Sequence, residues 1–460
     1  MKKFLAYFCA IVIFVSMLQS AAITAEDANL SRELKTVGNK IVFADDESSE
    51  VRLVGVNPYA YNLIEEEELM DRSFAEAFDN WHCNVLRFPV TDNLWGEQAY
   101  KDLLVKYAAE AAKRGKYIII DLHNFGYIKE SDVEFWKEAA VMFKNNPAVL
   151  FGLLNEPNSI TWKEWRDGGT ATDDEGNTEK IYGHQELIEI IRDLGAKNIV
   201  VAGGLDWAYD LRGIAGEAEG DDTVYALVDQ GSGGDTSKEG NGIIYDTHIY
   251  PWKGMKEWRA EGEKEDALSR AVRDWKELTS SARRQFPVLS GENGWDMVTI
   301  EVILSLTPGF EDKEVVDRVL AEQFQPGQSM YHDLWVRELF KYFNDTHDYD
   351  TPMNYTAWCF APNSGPILIE DEADWGKPEY AYPPTEYWGA YVKTELKREA
   401  IKRGEIEGII VTLNGKEVVF DVPPQNVDGR VLVPIRAVLE DLGATVDWDG
   451  ASQTVIINTK

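Results

Sequence analysis

The sequence predicts an α/β fold, a closed (β/α)8 TIM barrel followed by a small C-terminal α+β domain. Three observations lead there. Short β-rich runs alternate with stretches of helical periodicity, which is the pattern of repeated βα units and a parallel sheet. Eight such runs can be counted, the number a closed barrel of this type needs. The first run leads into Pro58-Tyr59-Ala60-Tyr61, where an open doubly wound sheet would place a Gly-rich phosphate loop.

In chain order, the runs lie near Val51–Asn57, Asn84–Phe88, Tyr117–Leu122, Val149–Leu154, Asn198–Ala202, Ile243–Thr247, Phe286–Ser290 and Asn354–Trp358. Amphipathic helices are expected between them at Tyr100–Arg114, Phe135–Asn145, His184–Ala196, Glu265–Gln285 and Met330–Phe343. Asp167–Lys180 carries several acids but lacks the alternating ligand order of an EF-hand, so it reads as a solvated loop. Residues 299–328 are acidic and marked by Pro and Gly, and read as an insertion after the seventh strand at the barrel mouth.

The two ends of the chain differ from this pattern. Residues 1–25 combine Lys2 and Lys3, an apolar run from Phe4 to about Leu18, and small residues ending near Ala25. That is the form of a secretory signal peptide, so the mature chain is expected to be extracellular and to lack a membrane span. Its removal takes away two lysines and no acids and moves the formal charge from −34 to −36. So acidic a protein has no basic face for phosphates, which excludes nucleic acid as a partner. Cys83 and Cys359 can form one disulfide or remain thiols; their apolar strand contexts favour two buried thiols.

Toward the C-terminus, Lys393–Gly404 is charged and helical in composition, and the chain then changes character. The large domain is expected over 26–398, a linker over 399–406 and a second domain over 407–460, with strands at Ile409–Leu413, Lys416–Val422 and Thr454–Asn458 around a helix at Ile435–Leu442. The segments LNGKEVVFDVPP, GRVLVPIRAVLEDLGA and VDWD resemble the copper amine oxidase N-terminal-like module of secreted bacterial proteins. Copper does not follow from that resemblance. No His or Cys occurs after Cys359, so imidazole and thiolate ligands are missing. The module reads as an attachment or spacer unit touching a cell wall or surface.

On a (β/α)8 barrel, function gathers at the C-terminal ends of the strands. There the sequence places Arg87 (VLRFPV), His123 (DLHNFG), Asn155 and Glu156 (GLLNEPNS), His248 and Tyr250 (YDTHIYP), Glu292 (VLSGENGWD) and Trp358 (YTAWCF). Any one of these has a structural explanation, but packing gives no reason for all of them to appear at successive strand ends. Glycoside cleavage needs two carboxyl groups across a sugar bond, one to protonate the leaving oxygen and one to attack or to activate water. Glu156 and Glu292 can supply them.

These motifs, with LLNEPNS and the later GENG as the most specific, resemble glycoside hydrolase family 5, a family of retaining (β/α)8 enzymes of the cellulase type. The resemblance covers roughly residues 30 to 395. It implies Glu156 as acid/base and Glu292 as nucleophile. By the same resemblance Asn155 would bond the sugar 2-hydroxyl, Arg87 and Tyr250 would hold Glu292, His123 and His248 would line the cleavage subsite, and Trp358 would form its floor. No metal or organic cofactor is implied. Physics agrees on the division of labour, because a guanidinium favours an ionised nucleophile whereas a general acid needs a less compensated setting.

Sugar rings stack on aromatic faces, and the chain has 15 Trp. Trp95, Trp162, Trp165, Trp207, Trp252 and Trp295 fall in expected loops; Trp207, Trp252 and Trp295 are taken as nearest the cleft, and helix-borne Trp136 and Trp275 as packing residues. The function expected is hydrolysis of internal bonds in a polysaccharide, most directly a β-glucan. Mannanase or other β-glycanase activity, transglycosylation, and carbohydrate binding without turnover are the alternatives.

Overall fold

The computed structural model describes residues 31–460 apart from 61–62, 173–175, 252–266, 296–329, 371, 387, 414–415, 421, 451 and 460. The expected leader, the 299–328 insertion and Trp252 lie outside the described residues. Eight parallel strands close into a barrel: β1 (Val54–Pro58), β2 (Val85–Val90), β3 (Tyr117–Leu122), β4 (Val149–Gly152), β5 (Val200–Gly203), β6 (Ile243–Ile249), β7 (Val288–Asn293) and β8 (Asn354–Phe360). Each strand pairs with its sequence neighbour, and β8 pairs with β1 to close the ring. The outer layer contains helices α1 (Glu67–Asp79), α2 (Gln98–Lys113), α3 (Glu130–Phe143), α4 (His184–Asp193), α5 (Ala267–Gln285), α6 (Met330–Phe343) and α7 (Trp388–Lys402). Between β5 and β6 only one-turn helices occur, at Leu205–Ala208 and Arg212–Ala215, with a short 3-10 turn.

The two-residue period of a strand sorts its side chains into two cores. On β3, Ile118 and Ile120 face the helices, while Tyr117 and Ile119 turn inward to meet Leu53, Val85, Leu150, Val201, Ile244 and Leu289. That inner cluster is an apolar floor, closed from below by Leu34 and Ile41 of a three-stranded antiparallel sheet, Leu34–Val37, Lys40–Phe43 and Asp46–Glu50. Above the floor the same inward positions become polar: Arg87 follows Val85, Asp121 follows Ile119, and Asp246 and His248 follow Ile244. The pleat that buries the floor therefore aims these groups at the mouth. Two close approaches need glycine: a Cβ on Gly152 would stand 2.9 Å from Asp121, and one on Gly291 would stand 2.2 Å from Asp246.

Helix α7 runs to Lys402, so residues 399–402 of the expected linker are helical. Beyond it, residues 412–458 form three two-stranded antiparallel pairs around a helix, Ile435–Asp441. Little apolar surface is buried there. Val418, Ala444 and Val446 are covered, whereas Val419 is 85% and Trp448 55% exposed. Cys83 and Cys359 are both buried thiols, and burial pushes Cys83 up to about 12 and Cys359 higher.

Candidate active site

Arg87 on β2 is the hub of the mouth. It is 1% exposed, and its Nη1 donates to Glu292 Oε1 at 3.0 Å and to Asn57 Oδ1 at 3.1 Å. Its Nη2 donates to Asn155 Oδ1 at 2.6 Å and lies 3.0 Å from Asp121 Oδ1. Tyr250, just after β6, donates its hydroxyl to Glu292 Oε2 at 2.7 Å. His123 Nε2 stands 3.9 Å from Glu292, and its other nitrogen meets Asp121 at 2.8 Å. The His123 ring lies against Trp358, with centroids 5.5 Å apart and planes 16° from parallel.

Glu156 reaches the mouth differently, on a short extension above β4. Phe125–Gly126 and Glu156–Pro157 form a two-residue parallel pair that ties the loop after β3 to the loop after β4. His248 then joins the two glutamates: its Nδ1 is 2.8 Å from Glu156 Oε1 and 3.6 Å from Glu292 Oε2. An oxygen of Glu156 and an oxygen of Glu292 lie within 4.8 Å of one another. His248 with the two glutamates has a spacing that a metal ion could occupy, but each of the three groups is already engaged in the contacts above.

The charges around Glu292 decide its ionisation. Burial alone would raise its pKa, but His248, Arg87, His123 and the Tyr250 hydroxyl outweigh it and hold the carboxyl down to about 2. For His248 burial opposes the charge, and Glu292 and Asp246 overcome it, raising the ring to about 9. Burial, reinforced by the charge of Glu292, pushes the Tyr250 phenol well above its ordinary range, so it stays a donor. Asn155 Nδ2 is buried without a protein partner, which leaves an amide N–H for a bound molecule.

A family model described as cellulase, glycosyl hydrolase family 5, matches residues 45–300, more than half of the 460-residue chain. The chain belongs to glycosyl hydrolase family 5. A copper amine oxidase N-terminal domain model matches residues 412–460. The family 5 chain is 24% identical over 182 residues to cellulase CelDZ1 of Thermoanaerobacterium sp, covering 37% of this chain and 45% of that one. It is 27% identical over 223 residues to endoglucanase C of Evansella cellulosilytica, covering 42% and 26%. The chain thus spans less than half the length of these curated relatives. In fold it is similar to the β-glucanase SdGluc5_26A of Saccharophagus degradans, solved natively and with cellotetraose, with a TM-score of 0.55 and 20% identity over 82% of this chain and 96% of that one.

The family 5 barrel brings Arg87, His123, Asn155, Glu156, His248, Tyr250, Glu292 and Trp358 together. The loop tryptophans divide. Trp207 is 45% exposed beside Phe125, with centroids 5.8 Å apart. Trp295 corrects an expectation: it is 2% exposed and packs on Trp335 of α6, so it offers no open ring face to a cleft. Trp95 is also a packing residue, donating to Glu138 at 3.0 Å, as is Trp165, donating to Gly203 O at 2.8 Å. Trp136 and Trp275 are buried as expected. Sequence reasoning passed over Asn57, Asp121, Asp246 and Phe125. The signal for the two aspartates was present, because each lies two residues before a mouth histidine on the same strand face.

Proposed function

We propose that this protein is a retaining β-glycoside hydrolase of β-glucan chains, with Glu292 as nucleophile and Glu156 as acid/base. The observation that supports it most is the pair of carboxyl oxygens within 4.8 Å across the mouth. An oxygen pair this close fits the ~5–5.5 Å carboxyl separation of double displacement better than the ~6.5–9.5 Å at which inversion accommodates a water. Glu292, kept ionised by Arg87 and Tyr250, attacks the anomeric carbon while Glu156 protonates the departing oxygen. A glycosyl-enzyme ester results. Glu156, now ionised, takes a proton from water, which attacks the same carbon and releases Glu292.

In this reading Asn155 Nδ2 donates to the sugar 2-hydroxyl, His123 lines the subsite, Trp358 floors it and exposed Trp207 extends it. The β-glucan assignment draws on the cellulase and endoglucanase names of the curated relatives and on the cellotetraose complex of the fold neighbour. We read residues 1–25 as a cleaved leader and residues 407–460 as a separate module that contacts a wall or surface. No helix of the described residues is long and apolar enough to cross a membrane.

The deciding measurement follows reducing ends and anomeric configuration by proton NMR on a panel of cellulose oligomers, mixed-linkage β-glucan, mannan, xylan and xyloglucan. Release of β-anomers from the glucans is expected. First-formed α-anomers would overturn retention, and turnover of mannan alone would overturn the substrate.

A further inference from the structure

Strands β6 and β7 do not pair evenly. Asp246 is opposite Leu289 and His248 is opposite Glu292, so Thr247 alone faces both Ser290 and Gly291. This is a β-bulge with one extra residue on β7. Its effect is decisive for side-chain direction, because a strand without the extra residue would set Gly291 against His248 and turn Glu292 out of the barrel. The bulge leaves the Gly291 N–H in need of an acceptor, and Asp246 Oδ1 takes it at 2.6 Å. Gly291 is the residue that admits this carboxylate, since a side chain there would collide with it.

The other oxygen of Asp246 faces His248. Oδ2 lies 3.4 Å from Nε2, a long contact, and Nε2 is buried with no closer partner. A carboxylate can only accept, so the ring keeps its proton on Nε2. The link from Nδ1 to Glu156 Oε1, 2.8 Å long, then carries one proton, either on the carboxyl or on the ring.

We propose that Asp246 is the positioning residue for both catalytic glutamates: it stabilises the bulge that aims Glu292, and it fixes the His248 tautomer so that His248 and Glu156 together hold the proton delivered to the leaving group. The inference rests on the hydrolase reading above. The step balances simply: the one proton of the link passes from Glu156 to the glycosidic oxygen, leaving Glu156 ionised beside an unprotonated Nδ1, and in the second half the proton that Glu156 takes from water restores the link. The charged and titratable groups facing His248 are Glu156 above β4, Glu292 on β7 and Asp246 on β6; Arg87 on β2 meets Asp246 at 3.8 Å and Glu292 at 3.0 Å, and Tyr250 and His123 reach it through Glu292. His123 has a similar carboxylate in Asp121, on its Nδ1 rather than its Nε2.

Asp246→Asn tests the idea, because an amide nitrogen toward Nε2 favours the opposite tautomer, while an amide oxygen can still accept from Gly291. Cellotetraose hydrolysis should fall about 100-fold, as expected for a lost proton donor. Turnover of 2,4-dinitrophenyl β-cellobioside, whose leaving group needs no acid, should fall by less than about 5-fold. The basic limb of kcat/KM should move to lower pH, since removing an anion weakens the hold on the shared proton. Equal losses on both substrates with an unmoved profile would reduce Asp246 to a packing role and overturn the proposal. Nitrogen-15 NMR of histidine-labelled wild type, with the His248 signal assigned by its loss in His248→Phe, should show a protonated Nε2. A bare Nε2 would overturn the proposal even if Asp246→Asn does not fold. A wild type that turns over neither substrate defeats the hydrolase reading instead, and the tautomer is still read by NMR.

Discussion

Glu292 accepts from Arg87 at 3.0 Å and Tyr250 at 2.7 Å, with His248 and His123 within 3.9 Å. Glu156, across the same opening, has His248 as its one ionisable side-chain hydrogen-bond partner among the described residues. The first environment stabilises a negative charge from several directions. The second supplies a single exchangeable link. On the proposed reading, two chemically identical side chains take different work, nucleophile and acid, from their different neighbours.

Substitution of the better-supported partner should break this contrast most. Glu292→Gln keeps the shape and removes the attacking oxygen anion, so turnover should fall on the order of 10⁴-fold or more, with an unchanged circular dichroism spectrum. Activity near that of wild type would assign the nucleophile elsewhere. Glu156→Ala should be graded, losing about 10²- to 10⁴-fold on cellotetraose, less on dinitrophenyl cellobioside, and gaining rate with azide as a β-glycosyl azide forms. An α-azide, or no response to azide, would contradict the assignment.

The contrast also has a pH signature. The neighbours of Glu292 lower its pKa to about 2, so its ionised form persists as pH falls through the ordinary carboxylate range. With dinitrophenyl cellobioside, kcat/KM measured under glycosylation-limited conditions should stay nearly flat from about pH 6 to about pH 4. A limb centred near the ordinary value would mean that His248, Arg87, His123 and Tyr250 do not hold the charge in solution. The smallest effect is expected at a distance from both glutamates. Removal of residues 409–460 should leave kcat/KM on soluble β-glucan within about 2-fold, given the independence of well-separated sites, and a collapse would place that module in the cleft.

Most of the barrel was legible because its strands are buried on both faces and therefore read as continuous apolar runs. Tyr117–Leu122 and Met330–Phe343 coincide with the observed elements, and the other barrel runs shift by a few residues. The sheet below the floor was not legible, since Asp46–Glu50 reads DESSE and carries no apolar alternation. At the site, motif residues were visible because chemistry restricts their type. Trp295 was misread because Trp335, which covers it, is brought there only by tertiary packing. Asp246 could have been found from its place two residues before His248, but its contact with the Gly291 N–H depends on a register shift between two strands, which no single strand displays.

The sealed thiol of Cys359 has a practical consequence. It sits on β8 with its Sγ against Asn57 O of β1, at the join where the last strand meets the first. A thiol so deeply protonated and enclosed is inert to alkylation until that join parts. Its labelling by iodoacetamide under native conditions is therefore a built-in clock for how often the ring of strands opens.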